Sequence, residues 1–326
     1  LGLLSLLRSD FSRLPVHAST QMGVHNAEGI ELLKTRGVRR FILSRELSYD
    51  EIASIRRAHP DVEIEVFIHG ALCYSFSGLC LASGMMLGRS GNRGECAQIC
   101  RGWFEAAGQG PVAAGEKGFY FSCNDLAAGE DVLRLRDTGV DAFKIEGRMK
   151  PPAWVAAVTA YYRALLDGKR REDADAAFRK ARTIFSRRPT PGHLHGNGGV
   201  DLLNPDYPGH LGIPAGTVTP ARAGSRPGFV IRLREDLAVR DGLQFFPPAG
   251  DGGGNGADKA ADFPREPVRF GVESLEIRGG RTAAARAGDE VFIPCAIFPP
   301  PGPEVSKTSS HDTKTPEIGR GLPANR

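Results

Sequence analysis

Four of the six cysteines fall within one 28-residue stretch, Cys73, Cys80, Cys96 and Cys100, with six, fifteen and three residues between them. Thiolates are soft ligands, and four of them complete either a [4Fe–4S] cluster or a tetrahedral zinc site. Structural zinc is usually gripped by cysteine pairs two residues apart, and no such pair occurs here. The spacing favours an iron–sulfur cluster, with zinc as the alternative. A disulfide pair or buried thiols are the competing readings. Disulfides are uncommon in cytosolic α/β enzymes, and the glycine-rich surroundings make a poor packed core. Cys123 and Cys295 read as ordinary buried thiols, although Cys123 ends a predicted strand and could replace one of the four.

A second group of polar residues comes from two strands. In VEIEVFIHG (62–70) the period of two places Glu65, Phe67 and His69 on one face; in VDAFKIEG (140–147) it puts Lys144 with Glu146, opposite Phe143 and Ile145. Chemistry in parallel α/β folds collects at the carboxyl ends of strands. His69, Glu146 and Arg148 fall there, as do His17, Ser19 and Gln21 after the first strand. His69 is the candidate general acid/base, and Lys144 and Arg148 are candidates to hold an anionic group. The competing reading is a Lys144–Glu146–Glu65 network that only supports the fold, since unpaired burial of such charges costs several kcal/mol. Trp103 and Phe104, just past Cys100, read as packing around the cysteines or as a ring on which a base stacks.

The elements that must position these residues alternate between strand and helix. From about residue 14 to 168, PVHAS, VRRFILS, VEIEVFIHG, GFYFS and VDAFKIEG read as strands, separated by helices. Among the helices, one follows Ser48 as cap, one runs over NDLAAGEDVLRLRDTG, and one extends from Pro151 to Asp167. That gives about five parallel strands, and an eight-stranded barrel requires three more βα units, which would have to precede Leu1. The opening LGLLSLLRSDF reads as the end of an amphipathic helix rather than a signal peptide, so the chain is read as a fragment.

Residues 169–196 form a basic helical connector, with eight Lys/Arg between 169 and 188 that read as a solvated face or as phosphate contacts. Short runs punctuated by Gly and Pro over 197–298 predict a small antiparallel β-barrel with a flexible excursion at 247–262, and 299–326 reads as a disordered tail. The fold class is thus α/β, a partial TIM-barrel-like domain over 1–168 followed by a β-barrel. With 326 residues, 41% hydrophobic and 25% charged, the chain has globular composition and no window suited to a membrane span. A net charge of +4 is compatible with a polyanionic partner without requiring one.

EVFIHGALCYSFSGLC (Glu65 to Cys80), followed by Ser83, closely resembles the signature of peptidase family U32, the collagenase-like peptidases. HASTQMGVHN (His17 to Asn26), NRGECAQICR (Asn92 to Arg101), FKIEGRMK (Phe143 to Lys150) and DLLNPDYPGHLGIPAGTVT resemble further family segments in family order. The resemblance implies a TIM-barrel-like catalytic domain and a small downstream β-barrel. It also implies 5-hydroxylation of a pyrimidine in transfer RNA or 23S ribosomal RNA, with prephenate as the hydroxyl source; other members act in oxygen-independent hydroxylation for ubiquinone synthesis. Several members carry a [4Fe–4S] cluster, for which Cys73, Cys80, Cys96 and Cys100 are the matching ligands here. On this reading the candidate catalytic residues are His17, Glu65, His69, Lys144, Glu146 and Arg148, and the candidate substrate-binding residues are Ser19, Gln21 and Arg101. The expected partner is RNA, with no membrane, in the cytoplasm. The alternatives are a protease, for which the sequence shows no HExxH helix and no GxSxG elbow, and a non-catalytic iron–sulfur scaffold.

Overall fold

A computed structural model describes residues 1–196, 200–220, 226–247, 265–296 and 299–311. In chain order its first elements are α1 (Gly2–Asp10), β1 (Val16–Ala18), α2 (Ala27–Lys34), β2 (Val38–Ile42), α3 (Tyr49–Ala58), β3 (Glu63–Ala71), α4 (Ala82–Leu87), β4 (Phe104–Glu105) and β5 (Lys117–Gly118). There follow β6 (Asp125–Ala127), α5 (Asp131–Asp137), β7 (Ala142–Glu146), α6 (Pro152–Leu166), α7 (Arg171–Ile184) and β8 (Pro189–Thr190). Local chemistry sets several boundaries. Asn26 caps α2 by accepting from the Gly29 amide at 2.9 Å, and Ser48 and Glu51 form a reciprocal capping box that starts α3. Tyr49, Ile52 and Ile55 then fall on one buried stripe of α3.

The chain divides into two compact units. One holds residues 1–148, 162–169 and 188–208, and the other 149–161, 170–187 and the described residues from Gly209 onward. In the first, β1, β2, β3 and β7 are parallel neighbours in chain order. Strand β3 is the axis of this sheet. One of its edges takes β2 along Glu63–Glu65 and then, head to head with β2, the antiparallel β6 along His69–Ala71. Its other edge takes β7. Strand β8 adds to β6 in parallel, so the sheet is open and mixed rather than a run of five parallel strands. Phe41, Leu43, Ile64 and Ile68 are essentially solvent-free, and each contributes roughly 1.5–3 kcal/mol by burial.

Two expectations are corrected within this unit. GFYFS is not a sheet strand. Only Lys117 and Gly118 pair, with Phe104 and Glu105, while Phe119 meets Trp103 and Phe121 meets Phe104 edge-on, both at 4.9 Å. The alternating aromatics thus fill a loop cluster instead of a pleated face. The helix expected from Asn124 begins only at Asp131 because β3 recruits Asp125–Ala127 into its ladder.

The second unit is built on an eight-stranded antiparallel sheet. Its strands are β9 (Ile213–Thr219), β10 (Gly228–Leu233), β11 (Leu237–Ala238), β12 (Gly242–Phe245), β13 (Val268–Gly271), β14 (Leu275–Ile277), β15 (Gly280–Thr282), β16 (Ala284–Ala285), β17 (Glu290–Pro294) and β18 (Glu304–Ser309). The sheet order is β13-β12-β18-β9-β10-β17-β14-β15, and β11 pairs with β16 separately. Phe229, Ile231, Leu243, Leu275, Val291, Ile293 and Val305 form its core. Strand β18 corrects the expected disordered tail: it lies between β12 and β9. Its only strongly apolar residue, Val305, is fully buried, and Lys307 Nζ reaches the buried Asp241 carboxylate at 2.7 Å. An ion pair, which carries no hydropathy signal, anchors it. Residues 248–264, which hold most of the predicted excursion, and 312–326 lie outside the described residues.

The basic segment forms α7, which packs on β9 and β18 within this unit and is therefore not a connector. Arg170, Arg171 and Arg179 are paired with Asp173, Asp175 and Glu235, as on a solvated face. Past the end of α7, His210 Nδ1 accepts from the Ser186 amide at 2.9 Å and the Gly212 amide at 3.2 Å. Its Nε2–H faces the Thr183 and Thr308 carbonyls, so the site is built for the neutral ring, and burial lowers the His210 pKa. The unfolded chain then binds a proton more readily than the native one. Stability from this residue is complete above the ordinary imidazole pKa of about 6.5 and is lost as pH falls below it. Urea melts at stepped pH should show wild-type stability declining on acidification through that window, with a shallower decline in His210→Gln.

Candidate functional site

The site grows from β3. Phe67 pairs with Lys144 of β7, but the next paired residue on β3 is His69, opposite Ile145, so Ile68 is the extra residue of a bulge. One inserted residue reverses the alternation. His69 therefore turns to the side of Phe143 and Ile145, away from Glu65 and Lys144, which corrects the shared face expected for them. The imidazole is buried, with Nδ1 3.0 Å from Tyr162 Oη. That hydroxyl donates to the Ile68 carbonyl at 2.8 Å, so its oxygen is left to accept from the ring. His69 is in this way part of the packing against α6. Gly70 follows at φ +113°, where an added Cβ would lie 2.1 Å from the Glu146 carbonyl oxygen.

The opposite face is polar. Glu65 receives Lys144 Nζ at 3.3 Å and Arg40 Nη1 at 3.5 Å, and Arg40 Nε binds Glu63 at 2.6 Å. The sheet register sets His17 beside Arg40. Half of the expected network therefore forms, Lys144 with Glu65. Glu146 instead accepts from the Arg148 amide at 3.4 Å. Phe67 lies between two cations, with the Arg45 guanidinium 4.7 Å and Lys144 Nζ 5.5 Å from its ring centre.

Beyond β3 the chain enters the cysteine-rich loop. All four cysteines are free thiols. Burial raises the Cys73 pKa, with Cys80 and Cys96 adding to the rise and the Arg45 charge opposing it. Burial likewise raises Cys100, with Arg101 opposing and Cys73, Cys96 and Cys80 adding. Cys123 is pushed to about 11, mainly by burial, and feels Cys100 and Cys73. A Cβ added at Gly91 would touch both Cys96 Cβ at 3.9 Å and the Cys80 carbonyl oxygen at 4.0 Å. Among the described residues no three Cys, His, Asp or Glu side chains are gathered tightly enough to hold a single ion. With Zn–S bonds of about 2.3 Å, zinc needs its sulfurs within ~4 Å of one another, whereas a four-iron cluster takes its thiolates at separate corners and tolerates a wider set. Four unpaired thiols in one neighbourhood fit the cluster in number and kind.

Several predicted polar residues hold this loop in place. Gln21 Nε2 reaches the Gly91 carbonyl at 3.5 Å and Arg148 Nη1 the Gly94 carbonyl at 2.9 Å. Ser19 caps the turn that carries Gln21, accepting its amide at 3.3 Å, and His17 is exposed on β1. Arg101 turns its guanidinium onto the carbonyls of Leu72 and Cys123 and the Ser122 hydroxyl. Trp103 and Phe104 pack against Phe119 and Phe121.

Two residues were missed. Arg45 and Glu46, in the loop after β2, grip the same region: Arg45 Nη1 donates to the Ala71 carbonyl at 2.6 Å, and Glu46 Oε1 accepts from the Ser77 amide and hydroxyl, each at 3.0 Å. Arg45 Nε, Glu46 Oε2, Ser44 Oγ and Thr20 Oγ1 are buried without a partner. Buried polar atoms are normally paired, and these four are exceptions among the described residues. The signal was available, because Ser44 to Glu46 stand at the carboxyl end of β2, the position that singled out the other candidates.

A thiol-rich loop after the carboxyl end of β3, followed in sequence by an antiparallel β unit, places the chain among mixed α/β proteins. The family model of peptidase family U32 matches residues 1–204, and the chain belongs to that family. It is 35% identical over 252 residues to the 23S rRNA 5-hydroxycytidine C2501 synthase of Escherichia coli (strain K12), covering 74% of this chain and 38% of that protein. It is 29% identical over 345 residues to the tRNA hydroxylation protein P of the same organism, covering 90% of this chain and 72% of the relative. It is 35% identical over 165 residues to a collagenase of Porphyromonas gingivalis (strain ATCC BAA-308 / W83), covering 47% and 39%. The chain thus spans about two fifths of the length of the ribosomal RNA synthase.

Proposed function

We propose that this chain belongs to an RNA-modifying enzyme that hydroxylates C5 of a pyrimidine in transfer or ribosomal RNA, with prephenate as the source of the hydroxyl. Cys73, Cys80, Cys96 and Cys100 would hold a [4Fe–4S] cluster. The observation that carries this reading is the set of four free thiols in the loop that follows β3. The names of the two RNA-modifying relatives support the substrate class. When bound, such a cluster supplies one-electron chemistry.

The chain's own residues then have distinct tasks. Lys144, paired with Glu65, and Arg148 offer cations to the carboxylates of a small acid. With His69 turned toward α6, proton handling falls to the polar face, where His17, Glu65 and Glu146 remain. Among the described residues no helix is long and apolar enough to cross a membrane, and the proposed setting is the cytoplasm, where RNA substrates are found. Proteolysis is supported by names alone, that of the family and those of a collagenase and a protease among the relatives.

Nucleoside mass analysis of RNA from a strain lacking the gene tests the proposal. A 5-hydroxypyrimidine nucleoside should disappear and return on complementation with the full gene. An unchanged nucleoside profile rejects the reading.

A further inference from the structure

Arg101 stands next to Cys100 in the chain, and its half-buried guanidinium bridges two other cysteine-bearing segments. Nη2 donates to the Leu72 carbonyl at 3.2 Å, the peptide that leads into Cys73, and Nη1 donates to Ser122 Oγ at 2.8 Å and to the Cys123 carbonyl. Three stretches distant in sequence, at 72–73, 100–101 and 122–123, thereby meet on one planar group. Arg45 adds a second guanidinium one peptide earlier, on the Ala71 carbonyl at 2.6 Å. No helix or strand of the described residues spans Gly88 to Gly102 apart from two single 3-10 turns, so the loop has little regular hydrogen bonding with which to fix its own thiols.

The geometry points to Arg101 as a positioning residue for the thiol set, a role distinct from contact with substrate. Its fork holds the peptides before Cys73 and after Ser122 at a fixed distance from Cys100, and its charge lies beside sulfurs that become negative when they ligate. Lysine cannot replace it, because one ammonium on a flexible stem does not present several donors in a fixed plane. The inference rests on the cysteine site proposed above, but the placement of the thiols can be read without any metal.

The test uses the full chain. Apo protein is oxidised briefly with diamide under anaerobic conditions, and disulfides are mapped by mass spectrometry. Wild type should yield bonds within the set Cys73, Cys100 and Cys123. Arg101→Ala and Arg101→Lys should lose those bonds, while Ser122→Ala, which removes a single one of the Arg101 contacts, keeps them. Reconstitution with iron and sulfide gives the second reading. Removing a residue that supports metal ligands typically weakens binding about 10–100-fold, and the electron paramagnetic resonance signal of any residual reduced cluster should change shape. Circular dichroism shows whether each variant is folded; if Arg101→Ala is not, Arg101→Lys, which keeps the charge and the aliphatic stem, decides. Wild-type disulfide yields together with a wild-type resonance signal in a folded variant overturn the inference, as does a wild type that forms no such bonds. A wild type that binds no iron, but whose disulfides depend on Arg101, removes the cluster from the proposed function and leaves the positioning role standing.

Discussion

Serine in place of any one of Cys73, Cys80, Cys96 or Cys100 is expected to drop the iron retained after anaerobic reconstitution from about four per chain to below one, and to abolish RNA hydroxylation. Cys295→Ser, just past β17 in the other unit, should change neither. The reason is ligand chemistry: a hydroxyl is harder than a thiol and resists ionisation near neutral pH, so it cannot take a thiolate's place on soft iron. The change in volume is small, and the half-exposed loop that carries these thiols contributes little to the core, so thermal stability should hardly move. Iron analysis and melting curves on the same samples check both halves. Equal iron in all the variants would remove the cluster, and equal iron in three of the four would identify a thiol outside the ligand set.

The second large effect concerns a residue with no side chain. Gly70→Ala places a methyl group 2.1 Å from the Glu146 carbonyl oxygen and 2.9 Å from Glu146 Cβ, on a backbone at φ +113°. Neither neighbour is the far end of a flexible side chain, so β3 and β7 must separate where the bulge ends. Strain at such a backbone angle costs roughly 1–3 kcal/mol and overpacking roughly 1–3 kcal/mol more, which together correspond to a fall of about 10 °C in melting temperature for a unit of this size. Gly37→Ala is the control: it shares a positive φ of +89° but meets nothing within 4 Å, and should lose only the conformational part. Similar melting temperatures for the two variants would mean that the approach of Glu146 to Gly70 is not tight. Because Gly70 lies three residues before Cys73, the variant should also load iron poorly.

The sequence carried the element pattern well wherever local chemistry decides. Ser48 and Glu51 announce α3, and the alternation in VDAFKIEG announces β7, because capping and pleat periodicity are properties of neighbouring residues. It failed where a distant partner decides. Nothing in EVFIHG distinguishes a regular strand from one bulged at Ile68; the register with β7 does that, and it moves His69 from the polar face to α6. Likewise EVSKTS has a single strongly apolar residue, and only the pairing of Lys307 with Asp241 and the flanking β12 and β9 make it a central strand. For the site, the cysteines and the cations at the strand ends were legible by type and spacing. Arg45 and Glu46 share the strand-end position of the other candidates, but their contacts, on Ala71 and Ser77, are set by the fold of a segment about 30 residues on and are invisible in the sequence.

The Asp241 carboxylate has consequences for anyone trimming this protein. It is fully shielded from solvent and is met by Lys307 Nζ at 2.7 Å, the His311 amide at 2.9 Å and the Ala238 amide at 2.8 Å. Two of these three partners belong to the last described stretch of chain. A boundary placed upstream of it, where hydropathy alone would invite one, would strand a negative charge in an apolar interior. Shortened versions meant for crystallisation or display therefore need to run through His311.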